Sequence, residues 1–171
     1  SKKVLNHVFD RLKFCKNINE VILATTVNKK DNKLETWAKN NDVKYFRGSE
    51  NDVLGRFYKC ASFIKADIIV RITADDPFKD PKIIDYAIRK FQKENHDYLS
   101  NCSYDGSIRS TYPEGIDVEV FSMNCLEKIW VAAIDFVQKS SKSELSSRFL
   151  SRSKFENSHA TFWRILPFVL G

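Results

Sequence analysis

Val4, Leu5, Val8, Phe9 and Leu12 open the chain at the three- and four-residue spacing of an amphipathic helix, a pattern that stops near Cys15. The next apolar block, VILATT at 21–26, is short and unbroken, as suits a strand covered on both faces. DNKLETWAKNN at 31–41 returns to helical spacing through Leu34, Trp37 and Ala38, and the exchange of periods then repeats. VKYF (43–46) predicts a strand, Asp52 caps a helix carrying Val53, Phe57, Ala61 and Ile64, and DIIVRIT (67–73) is a strand again. Asp80 before Pro81 joins a capping side chain to a first-turn proline, with Ile84, Ala87, Ile88 and Phe91 as the apolar face. YLSN (98–101) and GIDVEVFS (115–122) are further strands, and Ser122 caps a helix through Leu126, Ile129, Trp130 and Ala133.

Strands alternating with helices of this length imply right-handed crossovers and a mostly parallel sheet with helices on both faces, so the predicted class is α/β. No internal repeat or low-complexity linker interrupts residues 1–137, which read as one domain. From 138 the chain turns rich in Ser and Lys with weak periodicity (QKSSKSELSSRFLSRSKFENSHATF), and 138–171 is expected to be a loosely attached arm closing on the apolar WRILPFVLG.

Of the 171 residues, 43% are apolar and 13% aromatic, enough for one packed core rather than a disordered tail. Lys and Arg number 28 against 22 Asp and Glu, and the resulting +6 suits anionic ligands. The basic residues are scattered instead of forming an aromatic-interleaved stripe, which argues against nucleic acid as a partner and leaves a phosphate-bearing small molecule. Cys15, Cys60, Cys102 and Cys125 show no C-x-x-C spacing and no partnering His cluster. Neither a zinc site nor a disulfide framework is indicated, and reduced, mostly buried thiols of a cytoplasmic protein are expected. No run approaches the roughly 18 apolar residues of a membrane span, and the first residues do not read as a signal peptide. Asn101-Cys102-Ser103 matches a glycosylation sequon, by chance in a cytoplasmic chain.

The chemistry gathers where strands end. In open parallel α/β sheets, ligands bind beyond the carboxyl ends of the strands, and there DIIVRIT runs into Asp75, Asp76 and Pro77. Such a carboxylate also serves as an ordinary helix cap or solvated turn. In GIDVEVF the period-two alternation sends Asp117 and Glu119 to one face and Ile116, Val118 and Val120 to the other. Those two side chains either meet basic neighbours or, with Asp75, form an oxygen-rich site for Mg²⁺. FRGSENDVLGRFYKCAS (46–62) puts Arg47, Gly48 and Ser49 between a strand and a helix start, either as a common β–α turn or as a phosphate or carboxylate cradle. TYPEG (111–115) leads into the carboxylate strand, as a sugar pocket wall or as a plain turn.

Taken together, FRGSENDVLGRFYKCA, ADIIVRITADDPFKDPKIID, YLSN and TYPEGIDVEVFS…LEKIW resemble, in order and spacing, the SpsF-like branch of the cytidylyltransferase family. These are relatives of the acylneuraminate and 3-deoxy-manno-octulosonate cytidylyltransferases. The resemblance covers roughly residues 1 to 135 and implies a nucleotide-diphospho-sugar-transferase-like fold. It also implies transfer of CMP from CTP to a sugar or sugar acid, with Mg²⁺ as cofactor. Asp75 matches the aspartate of the family's T-G-D-x-P turn, with Ala74 in place of the glycine, and Asp117 that of its G-[LI]-D-V-E strand. The resemblance makes Asp75 and Asp117 the metal carboxylates, which Glu119 joins by the alternation of its strand, and Arg47 and Arg71 candidate partners of the phosphates or anionic sugar. Thr25 and Thr26 would meet the nucleotide, and Gly48 and Ser49 are added to them by the chemistry of their loop.

Two departures accompany it. The family's opening strand and its basic loop R-x-x-S-x-R-L-P-G-K have no counterpart before SKKVLNHVFDRLK. Of its R-E-H-V-T-P-Y motif only Arg148 is retained. The 1–137 domain is therefore expected to be N-terminally incomplete, with an unpaired apolar edge at Val21–Thr25. A non-catalytic nucleotide-sugar-binding remnant and a metal-dependent glycosyltransferase are the competing functions. A homodimer is left open, and no membrane partner is expected.

Overall fold

The computed structural model describes residues 3–102, 112–113 and 115–137 in full, and the backbone of 138–140 and 166–170. In chain order the elements are α1 (Val4–Leu12), β1 (Glu20–Thr26), a 3₁₀ turn (Lys29–Asp31), α2 (Asn32–Asn40), β2 (Lys44–Gly48) and α3 (Val53–Phe63). There follow β3 (Ile68–Arg71), α4 (Pro81–Glu94), β4 (Tyr98–Ser100), β5 (Glu119–Ser122), α5 (Met123–Ser140) and β6 (Leu166–Leu170). The helix starts form for the expected reason. Asp52 accepts a hydrogen bond from the Gly55 amide (2.7 Å), Asp80 from that of Lys82 (2.8 Å) and Ser122 from that of Cys125 (3.0 Å).

The six strands lie in one sheet in the order β2-β1-β6-β3-β5-β4. β1 and β2 pair in parallel, β6 runs against both β1 and β3, β5 runs against β3, and β4 against β5. Consequently β1, β2, β3 and β4 all point one way, and their carboxyl ends share an edge with the start of β5. The connections through α2, α3 and α4 carry the chain back between these four strands, as an α/β fold requires.

Helices cover both faces. On one, Val8 and Leu12 of α1 and Ile84, Ala87, Ile88 and Phe91 of α4 pack on Val70, Ile72, Val118 and Val120. Leu5, Phe9, Leu34, Trp37 and Ala38 extend that layer over Leu23 and Ala74. On the other, Phe57, Cys60 and Ala61 of α3 and Leu126 of α5 close on Ile22, Ala24, Ile69 and Phe121. Alternate residues of β1, β3 and β5 thus enter opposite layers, which is why these strands look uninterruptedly apolar in sequence.

Three expectations change. β1 has no open edge: it pairs with β2 on one side and with β6 on the other, so the place anticipated as an unpaired edge at Val21–Thr25 is filled. The filling strand, Leu166–Leu170, comes from the segment expected to be a loose arm, and α5 continues past 137 to Ser140. The carboxylate strand is also shorter than 115–122. Asn101 takes the place of the ladder before Glu119, its side chain donating to the Ile116 carbonyl (3.0 Å) and accepting from the Val118 amide (2.8 Å). With both side-chain positions engaged, Asn101 is a structural residue and not a free sequon acceptor.

Candidate active site

Two loops meet at the carboxyl edge: residues 72–80, between β3 and α4, and residues 115–118, which lead into β5. The strand direction forces this encounter, because β5 runs against β3 and begins where β3 ends. Ala74, in the position of the family glycine, is buried against Leu5, Phe9 and Leu23, so a methyl there fills core space. Gly115 is at φ +92°, and a Cβ on it would come within 2.6 Å of an Asp76 carboxylate oxygen. A residue with no side chain is therefore required on both conformational and steric grounds.

The structure sorts the four carboxylates of this edge by partner. Asp76 pairs with Lys79 (2.9 Å). Lys79 is 1% exposed, and its ammonium also donates to the Asp117 carbonyl oxygen (2.6 Å). Arg11 in turn donates to the Lys79 carbonyl, tying α1 to the same turn. Glu119 is buried, directly opposite Arg71 in the β3–β5 register, and ion-paired with it. Its other oxygen accepts from the Tyr98 hydroxyl (2.9 Å). Burial, with Glu119 alongside, pushes the Tyr98 phenol well above its ordinary value, so it stays a donor. Asp75 is exposed and Asp117 half-buried, and neither carboxylate has a partner among the described residues.

The fold gives partners to several of the residues assigned from sequence. Both oxygens of Glu119, expected among the metal carboxylates, are held by protein donors. Arg71, expected to meet the phosphates or anionic sugar, is its counter-charge across the ladder. Arg47 is likewise engaged: Nε donates to the Thr26 carbonyl (2.9 Å), one terminal nitrogen to Asn28 O (2.9 Å) and the other to the Glu35 carboxylate (2.6 Å). Its fork closes the β2 end onto α2 and the loop after β1.

Thr25 and Thr26 are fully buried, and their hydroxyls donate to the buried Asp31 carboxylate, at 3.3 Å from Thr25. Gly48 is where the Arg56 side chain crosses, since a Cβ there would come within 2.8 Å of Arg56 Cγ. Ser49 accepts from the amides of Asn51 (3.2 Å) and Asp52 (3.0 Å), and its carbonyl accepts from the buried Arg56. Arg47 and the two threonines are thus tied together, with the threonine hydroxyls and Asp31 buried, while Ser49 at the end of the turn stays exposed. Arg148 lies outside the described residues.

Asp31, Arg56, Lys79 and Tyr98 were not singled out in the sequence, and Asn101 only as a chance sequon. Lys79 sits in PFKDP like any surface lysine, and nothing local signals that it is buried. Among the described residues no group of three or more His, Cys, Asp and Glu side chains is gathered for a metal. Of the carboxylates expected to hold a metal, those of Asp75 and Asp117 have no partner among the described residues. Mg²⁺ takes one or two protein carboxylates and completes its octahedron with water and phosphate oxygens, a demand these two could meet.

The cytidylyltransferase family profile matches residues 1–160. An uncharacterized protein of Methanocaldococcus jannaschii is 37% identical over 136 residues, 80% of this chain and 53% of that protein. The spore coat polysaccharide biosynthesis protein SpsF of Bacillus subtilis is 35% identical over 83 residues, 48% of this chain and 35% of its own. A solved structure of a cytidylyltransferase from Leptospira borgpetersenii serovar Hardjo-bovis superposes with a TM-score of 0.68 at 37% identity, covering 75% of this chain and 52% of that one. The chain spans about half the length of the first relative and of the solved structure, and about a third of SpsF. Its strand order, its two carboxylate loops and a profile match over nearly the whole sequence carry one conclusion: the chain belongs to the cytidylyltransferase family, on its SpsF-like branch, and has the nucleotide-sugar-transferase-like α/β fold.

Proposed function

We propose that the protein transfers CMP from CTP to a hydroxyl of a sugar or sugar acid, releasing pyrophosphate, in the cytoplasmic synthesis of a surface polysaccharide or related glycan. The observation that carries this reading is that the Asp75 and Asp117 carboxylates, on two loops held against each other at the carboxyl edge of the sheet, have no partner among the described residues. In the reaction the sugar oxygen bonds to the α-phosphorus, the bond from that phosphorus to the bridging oxygen of pyrophosphate breaks, and the hydroxyl proton passes to solvent. Such a transfer needs positioning and charge neutralisation more than covalent help. Mg²⁺ held by Asp75 and Asp117 would supply that neutralisation at the phosphate oxygens. The chain's own part is to hold the two carboxylates at a fixed separation on a rigid sheet edge, with a net charge of +6 favouring approach of a polyanion.

The engagement of Arg47, Thr25 and Thr26 inside the fold favours a second reading, a nucleotide-sugar-binding protein of this family without turnover. Pyrophosphate release, measured with each nucleoside triphosphate against a panel of keto-sugar acids, separates the two. Release with CTP and one class of acid is expected. Tight nucleotide-sugar binding with no release from any triphosphate overturns transfer, and glycosyl transfer from a nucleotide sugar assigns the site to a glycosyltransferase.

A further inference from the structure

The peptide unit between Asp117 and Val118 is gripped at both ends. Its carbonyl accepts from the buried Lys79 ammonium (2.6 Å), and its N–H donates to the Asn101 side chain (2.8 Å). Since a peptide is planar, two such bonds on opposite sides orient the whole unit, and with it the Cα that carries the Asp117 carboxylate. The Lys79 bond is charge-assisted and shielded from water, which makes it the stiffer of the two. The same ammonium pairs with Asp76, the immediate neighbour of Asp75, and Asp76 also abuts Gly115. A lysine at 1% exposure has no solvation to fall back on, so both partners must stay in place.

We infer that Lys79 is a positioning residue of the active site: through Asp76 and the Asp117 carbonyl it sets the separation of the two carboxylates that face the substrate. It touches neither cation nor nucleotide. This inference rests on the cytidylyltransferase reading for its purpose, but the positioning itself stands on the geometry alone.

The test compares wild type, Lys79→Met and, as a control, Leu126→Ala, which opens a core cavity on the other face of the sheet. A double variant, Lys79→Met with Asp76→Asn, leaves no unpaired buried charge and is available where the single variant does not fold. Two readouts are taken without turnover: hydrogen exchange of the Val118 amide, and Mn²⁺ binding by electron paramagnetic resonance in the presence of CTP.

At matched melting temperature, the Lys79 variants are expected to exchange Val118 faster than Leu126→Ala does and to bind Mn²⁺ about tenfold or more weakly, the usual effect of losing a group that orients a metal ligand. Unchanged Val118 exchange, or unchanged Mn²⁺ affinity with wild type binding normally, overturns the inference. Faster exchange together with a wild type that binds no Mn²⁺ keeps Lys79 as the loop clamp and removes the metal-dependent transfer proposed above.

Discussion

Asp117 and Glu119 stand two residues apart, yet their carboxylates are fit for opposite tasks because, among the described residues, only that of Glu119 meets a cation. Glu119 lies across the ladder from Arg71, with side chains 10% and 13% exposed respectively, and the Tyr98 hydroxyl takes its remaining oxygen. Glu119→Ala takes from the buried Arg71 its cross-strand carboxylate and is expected to cost about 3 kcal/mol of stability, seen as a lowered urea midpoint. Asp117→Asn keeps the volume and removes a charge that nothing in the described structure balances. Its stability is expected to stay within about 0.5 kcal/mol of wild type. Pyrophosphate-releasing turnover is expected to fall about a hundredfold or more, the usual effect of losing one stabiliser of developing charge. A turnover unchanged at limiting Mg²⁺ returns Asp117 to a solvated role.

At the scale of elements, the junction of α2 and β2 shows how a position suggestive of phosphate binding becomes a structural clasp. Glu35 accepts from Lys39 one turn along α2, from Arg47 at the end of β2 and from the Tyr45 hydroxyl (3.1 Å). Hydrogen bonds from Lys39, then Arg47, lower its carboxyl from the ordinary 4.5 to about 2. A carboxyl whose pKa is depressed by folding stabilises the native state above its unfolded pKa, and that contribution fades as pH falls toward the folded one. The contribution of Glu35 is therefore whole above about pH 5 and lost between 4.5 and about 2. Denaturation midpoints of Glu35→Gln and wild type should differ at pH 6 and converge toward pH 2.

The same scale contains the least anticipated element. β6 inserts between β1 and β3, with Pro167 in register with Leu23. A proline lacks the N–H that a central strand would offer to its neighbour, so one ladder bond is absent there.

At the scale of the whole molecule, three layers decide what the side chains can do. All four cysteines are free thiols: Cys60 is buried and Cys15, Cys102 and Cys125 are half-buried, less enclosed than the composition led one to expect. Burial pushes the Cys60 thiol up to about 12, and burial together with Asp85 and Asp80 does the same for Cys15. Since the thiolate is the nucleophile, both are expected to resist iodoacetamide at neutral pH and to label only as the layers come apart in urea. Labelling of Cys60 at the rate of a free thiol in the native protein would contradict its place on the buried face of α3. No helix among the described residues is long and apolar enough to cross a membrane.

Much of this was legible without coordinates. The helices from α1 to α5, the strands β1 to β5 and the caps at Asp52, Asp80 and Ser122 follow from spacing and local chemistry, which act over a few residues and need no knowledge of distant partners. The alternation at 116–120 likewise announced that Glu119 and Val120 would face opposite layers. Only the tertiary structure decided which charged groups remain available. The inward network of Arg47, Thr25, Thr26 and Asp31, the Glu119–Arg71 pair, the burial of Lys79 and the place of β6 each depend on a residue far away in sequence coming to lie opposite. A charged side chain has the same local pattern whether water or a buried counter-charge satisfies it, and folding alone determines which of the two it meets.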